Sequence, residues 1–417
     1  MHAQHSRNTV RYYLFIVLFL AFLFFSNDFG LIDTQKTAIV TAAGIDREGE
    51  EFVLTSQIVL PQASPQGKST QAVQLVSRGK TVSEAFEQIN AKTGWYPKLV
   101  LCKLLLLGKK TTEKDVFDVL DFFLLDEYLT DDCLVAVCDG AAKDVLDTDA
   151  LVDATSSLAI EKVLSTHAER VGTVRPSTLK DFAIGYFGED KSGLLPILKK
   201  EKQQEALDSS QRDTSSNNAS SDNAGQTPSE ENSGSQKNST QQENKDKQKP
   251  VFSAKETALF VNGIWKERLT ADETFALNAA IGKLRLASYS VAVNEAACTL
   301  SIKHNTSKIK LEVGKEEKSQ LKIDLTMTAG LADYSKSLSI KKLSDGGNIP
   351  DGVFAAAEKK LAAALHTVYE KARAVDCDIF NVKERLVKYK KRNFHTKKEG
   401  ILEETSLLVN VCFEGIR

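Results

Sequence analysis

A chain of 417 residues, 42% hydrophobic and 26% charged, is long enough for two or three globular units, each with a buried core. Its 54 Lys and Arg balance 56 Asp and Glu, for a formal net charge of −2. No overall field therefore draws it to nucleic acid or to an acidic surface, and nucleic acid is not among the expected partners.

At the amino terminus, Arg7 and Arg11 precede Tyr12 to Phe25, where every side chain is apolar or aromatic. Continuing to Ile32 brings the run to about 20 residues, enough for a short membrane-spanning helix with its polar residues near one interface. The basic residues on the amino-terminal side favour that side staying in the cytoplasm, which puts everything after Asp33 outside. A cleavable signal peptide would show small residues at alternate positions just after the run. Phe24-Phe25-Ser26-Asn27-Asp28 has none, so residues 1–32 read as a cytoplasmic stub with an uncleaved anchor.

Residues 33–149 follow a β-α-β-α-β order, predicting helices packed on a mixed sheet. Thr37 to Gly44 and Glu51 to Leu60 read as strands, the second with apolar residues on both faces, and Gly44 to Gly49 as the hairpin connection. Thr81 followed by Glu84 marks a helix start, with Val82, Ala85, Phe86 and Ile89 as its apolar face and Gly94 near its end. The apolar run Leu99 to Leu107 predicts a buried strand, Asp115 to Leu125 a helix, and Cys133 to Cys138 another strand.

A middle domain is expected over 150–288, opening with a helix over Ala150 to Leu164. It is interrupted by Glu201 to Pro250, where Ser, Asn, Gln and charged residues replace large apolar ones. Such a segment does not bury enough surface to offset its ordering entropy and reads as a disordered linker. Beyond it, Asn262-Gly263 predicts a tight hairpin between Thr257–Val261 and Ile264–Leu269, with a helix over Glu273 to Leu284. Residues 289–417 form a further α+β unit. Leu321 to Met327 alternate as a strand with one wet face, Phe354 to Ala372 step by three and four along a long helix, and Leu407 to Phe413 supply a closing strand. The fold class is thus α+β: an amino-terminal transmembrane helix followed by three α+β domains in series, with mixed or antiparallel sheets.

No catalytic, cofactor-binding or metal-binding residue is singled out. Cys102, Cys133, Cys138, Cys298, Cys377 and Cys412 lack the close pairs of a zinc or dithiol site; Cys133 and Cys138 point to opposite faces of one strand, and all six read as small buried hydrophobes. His167, His304, His366 and His395 show no ligand spacing, and no nucleophile motif, P-loop or dinucleotide fingerprint occurs. Asp131-Asp132 and Glu403-Glu404 read as solvated surface acids. The cationic stretch Lys383 to Lys398, interleaved with Tyr389 and Phe394, reads as a solvated loop or as a contact for anionic headgroups or a partner's acidic face. The chain is expected to be no enzyme and to need no small-molecule cofactor.

Several stretches, in order, resemble the Ger(x)C family, the C subunits of spore germinant receptors. They are Ala38 to Asp46, Gly79 to Ala85, Pro97 to Gly108, Leu120-Asp121-Phe122, Thr257-Ala258-Leu259-Phe260, and Asp376 to Phe380 with Tyr389. The family's lipid-modified cysteine has no counterpart, since Leu31 stands there in Gly30-Leu31-Ile32-Asp33. An uncleaved helix must then anchor the chain instead. Phe394 replaces a common tryptophan and Leu125 lies near a common arginine. The resemblance implies three α+β domains on the outer face of the spore inner membrane, in a non-catalytic subunit that assembles with receptor A and B membrane subunits. The alternative is a generic membrane-anchored scaffold or ligand-binding protein of the cell envelope.

Overall fold

The computed structural model describes residues 12–22, 37–59, 72–150, 153–165, 171–201, 251–284, 286–293, 296–313, 319–335, 349, 352–389 and 400–416. The expected linker, apart from Glu201, lies outside the described residues, as do Leu31, His167, Phe394 and His395. Helix α1 is described over residues 12–22, and no helix among the described residues is long and apolar enough to cross a membrane.

The first sheet has nine strands: β1 (Thr37–Glu48), β2 (Glu51–Val59), β3 (Ala72–Gly79), β4 (Tyr96–Lys98), β5 (Leu104–Leu107), β6 (Leu134–Cys138), β7 (Ser192–Glu201), β8 (Val251–Val261) and β9 (Ile264–Leu269). Their order is β3-β2-β1-β5-β6-β7-β8-β9, with β4 also on β1. The centre is parallel and both flanks antiparallel, so the expected mixed sheet is present, and it runs unbroken past residue 150.

Two local expectations are corrected. Gly44 to Asp46 are not a connection but strand residues paired with Thr55, Leu54 and Val53. The turn is only Gly49-Glu50, with Gly49 at φ +65°. Leu99 to Leu107 is not one strand. Lys98 pairs with Ile39 and Leu104 with Ala42, so the five residues 99–103 face two residues of β1 and must bulge outward. Val100 and Leu101 are exposed as a result.

Helices α2 (Val82–Thr93), α3 (Phe117–Leu124) and α6 (Leu179–Phe187) cover one face of this sheet; α4 (Ala142–Leu146) and α5 (Ser156–Leu164) cover the other. α2 starts as expected. The Glu84 amide donates to Thr81 Oγ1 at 3.1 Å, the Glu84 carboxylate accepts from the Lys80 amide at 2.7 Å, and Gly94 closes the helix at φ +73°. α5 begins at Ser156, not Ala150, because the Thr155 hydroxyl caps it.

The second sheet is β10 (Ala287–Val293), β11 (Ala296–Val313), β12 (Ser319–Tyr334) and β13 (Thr405–Gly415), in that order, with only β12 and β13 parallel. Its inner face packs on α8 (Val353–Ala374) and on α7 (Ala271–Ala280). The short helices α9 (Val382–Tyr389) and α10 (Ile401–Glu404) close the unit. α7 ends short of the expected Leu284, with Gly282 in the left-handed region.

Candidate functional site

Two buried or partly buried acidic residues, Asp46 and Asp378, sit at junctions between elements. Asp46, on β1, reaches the start of α4, where its Oδ1 accepts from the Ala142 amide at 2.8 Å and its Oδ2 from the Lys143 amide at 2.9 Å. α4 has no capping side chain of its own at Ala141, so a strand residue 96 positions away supplies the cap. Burial pushes the Asp46 carboxyl up, against the two amides that hold it down. Gly108 makes room for it, since a Cβ there would lie 1.8 Å from Asp46 Oδ1.

Asp378 does the same for α9. The residue is buried, and its two carboxylate oxygens accept from the Val382 amide at 2.8 Å and the Lys383 amide at 2.7 Å. Its own amide donates to Ser192 Oγ at 3.0 Å, and the neighbouring Cys377 thiol donates to the Phe260 carbonyl at 3.6 Å. These contacts dock the carboxyl-terminal unit on β7 and β8.

A cavity of about 510 Å³ opens between α6, the start of β7 and residues 377–384. Arg175 lines it, with its Nε buried and without a hydrogen-bond partner. Burial lowers the guanidinium pKa, and the Asp181 charge offsets this in part. Asp190 and Glu384 line the same cavity, and burial together with the Asp378 charge pushes the Asp190 carboxyl up to about 6. The cavity thus offers two cationic groups, Arg175 and Lys283, and several acidic ones for polar contacts. Burial holds the Cys377 thiol in its wall up at about 12.

At the far end of the first sheet, Asp139 after β6 pairs with Arg268 at 2.9 Å and Lys109 at 3.3 Å, while Glu256 pairs with Lys199 at 2.5 Å and Arg268 at 3.1 Å. Burial raises the Asp139 carboxyl, but the hydrogen bonds and charges of Arg268 and Lys109 leave it below its ordinary value. Among the described residues, no group of three or more His, Cys, Asp or Glu is placed to hold a metal.

Five of the six cysteines are buried as expected; Cys412 is exposed on the outer face of β13. His304 and His366 are exposed. Asp131 and Asp132 pair with Lys180 and Lys103 at the surface. In the cationic stretch, Lys383 pairs with Asp376, Lys388 pairs with Glu384, and Arg385 donates to the carbonyls of Phe380 and Ile309. Those three cations serve the fold itself; residues 390–399 lie outside the described residues.

Residues 32–200 match the family model described as spore germination protein N-terminal domain, and residues 255–413 match that described as spore germination B3/GerAC like, C-terminal. The chain belongs to the Ger(x)C family, the C subunits of spore germinant receptors. No curated protein matches this Ger(x)C chain. Among solved structures, the crystal structure of the GerBC protein is similar at 16% identity, over 90% of this chain and 97% of that one, with a TM-score of 0.48. Within this Ger(x)C chain, Asp46 and Asp378 belong to stretches that carried the family resemblance, whereas Arg175, Asp190 and Ser192 carried no signal. Nothing in their local sequence marks them, and only the docking of residues 377–384 on β7 brings them together.

Proposed function

We propose that this chain is a non-catalytic subunit of a germinant receptor, held to the membrane by its amino-terminal apolar segment with the folded body outside the cytoplasm. It would act by assembling with the receptor's A and B membrane subunits and by taking part in the signal that starts germination. The observation that carries this reading is the match of two germination-protein family models to both halves of the chain, one on each side of residues 201–254. Asp46 and Asp378, which lie in family-like stretches, cap helices and join elements, a structural role that fits an assembly subunit.

The apolar run Tyr12 to Phe25 supports an uncleaved anchor in the spore inner membrane, since Leu31 leaves no cysteine for a lipid at that place. Three units in series, 33–149, 150–288 and 289–417, are our proposed organisation, the first two sharing one sheet. Purification from spore membranes through a carboxyl-terminal tag tests the assembly. Co-recovery of a transporter-like subunit and a second multi-span subunit is the expected result. An intact membrane-bound chain recovered with neither would refute the receptor role and leave an anchored scaffold.

A further inference from the structure

β1, β4, β5 and β6 run parallel, so their amino-terminal ends share one edge of the first sheet. Thr37, the first residue of β1, pairs with Tyr96 at that edge. The bulge at residues 99–103 emerges there, and residues 125–133 lead into β6 there. α6 starts there too, its Leu179 amide donating to the Cys133 carbonyl at 2.8 Å. α6 ends at Phe187, five residues before β7 begins on the same side.

This edge is apolar to an unusual degree. Outside α1, the three most exposed large apolar side chains among the described residues are Leu125 at 82%, Phe187 at 68% and Ile184 at 64%, and all three stand here. Val100, Leu101 and Tyr128 join them, each about half exposed. A cavity of about 360 Å³ opens between Leu124 and Leu129 on one side and Ile184 and Phe187 on the other. Water-facing surfaces seldom gather apolar groups in this way unless something covers them.

Two observations identify the cover. The first is covalent. The expected anchor ends at Ile32, so residues 33–36 join it to Thr37, and four residues reach at most about 14 Å when fully extended. An anchor in the bilayer therefore keeps this edge, rather than the opposite one, close to the lipid. The second is chemical. Lys98 Nζ lies 4.5 Å from the centre of the Tyr128 ring, while Lys103 and Lys180 pair with Asp132 and Asp131. Aromatic rings and long lysine stems beside aliphatic tips suit the water–lipid boundary, and the mutual pairing of these charges leaves apolar contact as the attraction.

We propose that this edge rests on the bilayer, with Leu101, Leu125 and Phe187 entering the interfacial layer. The proposal rests on the amino-terminal segment being the anchor, and one experiment separates the two. In the full-length chain carrying Cys412→Ser, a fluorophore is placed through Leu125→Cys, Phe187→Cys or, at the opposite edge, Lys143→Cys. Each protein is reconstituted into phosphatidylcholine vesicles whose acyl chains are brominated. Flotation with the vesicles reports the anchor; quenching by bromine reports the edge.

The expected result is flotation of all three proteins, with quenching at positions 125 and 187 and none at 143. Adding Leu101→Asp and Phe187→Asp is expected to abolish quenching at 125 without loss of flotation. Floating protein with all three labels equally unquenched overturns the proposal and assigns the edge to a protein partner, with the anchor reading intact. Loss of flotation overturns the anchor reading and this proposal with it.

Discussion

Asp378 shows how much one buried carboxylate holds in place. It closes the start of α9 through two amides and meets β7 through Ser192. Asp378→Ala leaves both amides buried without acceptors, which costs about 2–3 kcal/mol. A lower urea midpoint at unchanged slope is the expected signature. Asp190, across the same cavity, acts in the opposite sense. Its folded-state value of about 6 lies above the ordinary carboxylate range, so the folded chain binds more protons than the unfolded one between about pH 4 and pH 6. Its ionisation therefore removes stability as pH rises through that window. Asp190→Asn is expected to raise the melting temperature at pH 7, by about 1–2 kcal/mol of stability, and to leave it unchanged below pH 4. Equal shifts at both pH values would show that burial of its charge is not the cause.

At the scale of elements, α4 depends on a residue it does not contain. Asp46→Ala is expected to cost about 1–2 kcal/mol, the ordinary worth of a helix cap. Gly108→Ala should cost about as much, because its methyl would occupy the place of Asp46 Oδ1. Once Asp46 is gone that methyl meets little, so the double variant should cost clearly less than the sum of the two. Chemical denaturation of all four proteins checks the cycle, and simple additivity would disprove the coupling.

The same contrast between local and distant causes explains what was legible beforehand. The Thr81–Glu84 helix start and the Asn262-Gly263 turn, with φ of +50° and +71°, were readable because their physics lies within a few residues. The alternation in β12 and the stepping of α8 were readable for the same reason. The break at residues 99–103 was not, since it follows from the register of β4 and β5 on β1 and from nothing in the apolar run itself. Ser192, Arg175 and Asp190 were equally silent, because tertiary docking alone brings them to Asp378. Asp46 was visible only through its place in a family-like stretch; that it caps a helix 96 residues later was not.

For the whole molecule, the decisive element is α7, where every residue from Glu273 to Ala280 is buried. A helix enclosed on all sides must be shared by what surrounds it. Thr274 bonds Thr257 of β8 at 3.1 Å, and Asn278 donates to the carbonyls of Gly172 and Val174 at 2.9 Å. Towards the second sheet, Phe275 stacks on Tyr289 with ring centres 4.7 Å apart, and Asn305 donates to the Ala279 carbonyl at 2.9 Å. Lys371 of α8 pairs with Glu273 at 2.8 Å and donates to the Arg268 carbonyl at 3.1 Å. α7 therefore contacts both sheets, and the core of the second unit, which also takes in Leu259, Val261 and Leu269 of the first sheet, is incomplete without it. Calorimetry of the full-length chain should show one unfolding transition for the two sheets. Ala276→Asp, which buries an unpaired charge in α7, should lower that single transition by about 3–5 kcal/mol. Two transitions, of which only the one belonging to residues 287–416 moved, would mean that the sheets fold independently. The receptor subunit would then be two tethered bodies, whereas a single transition makes it one block that transmits a push on either sheet to the other.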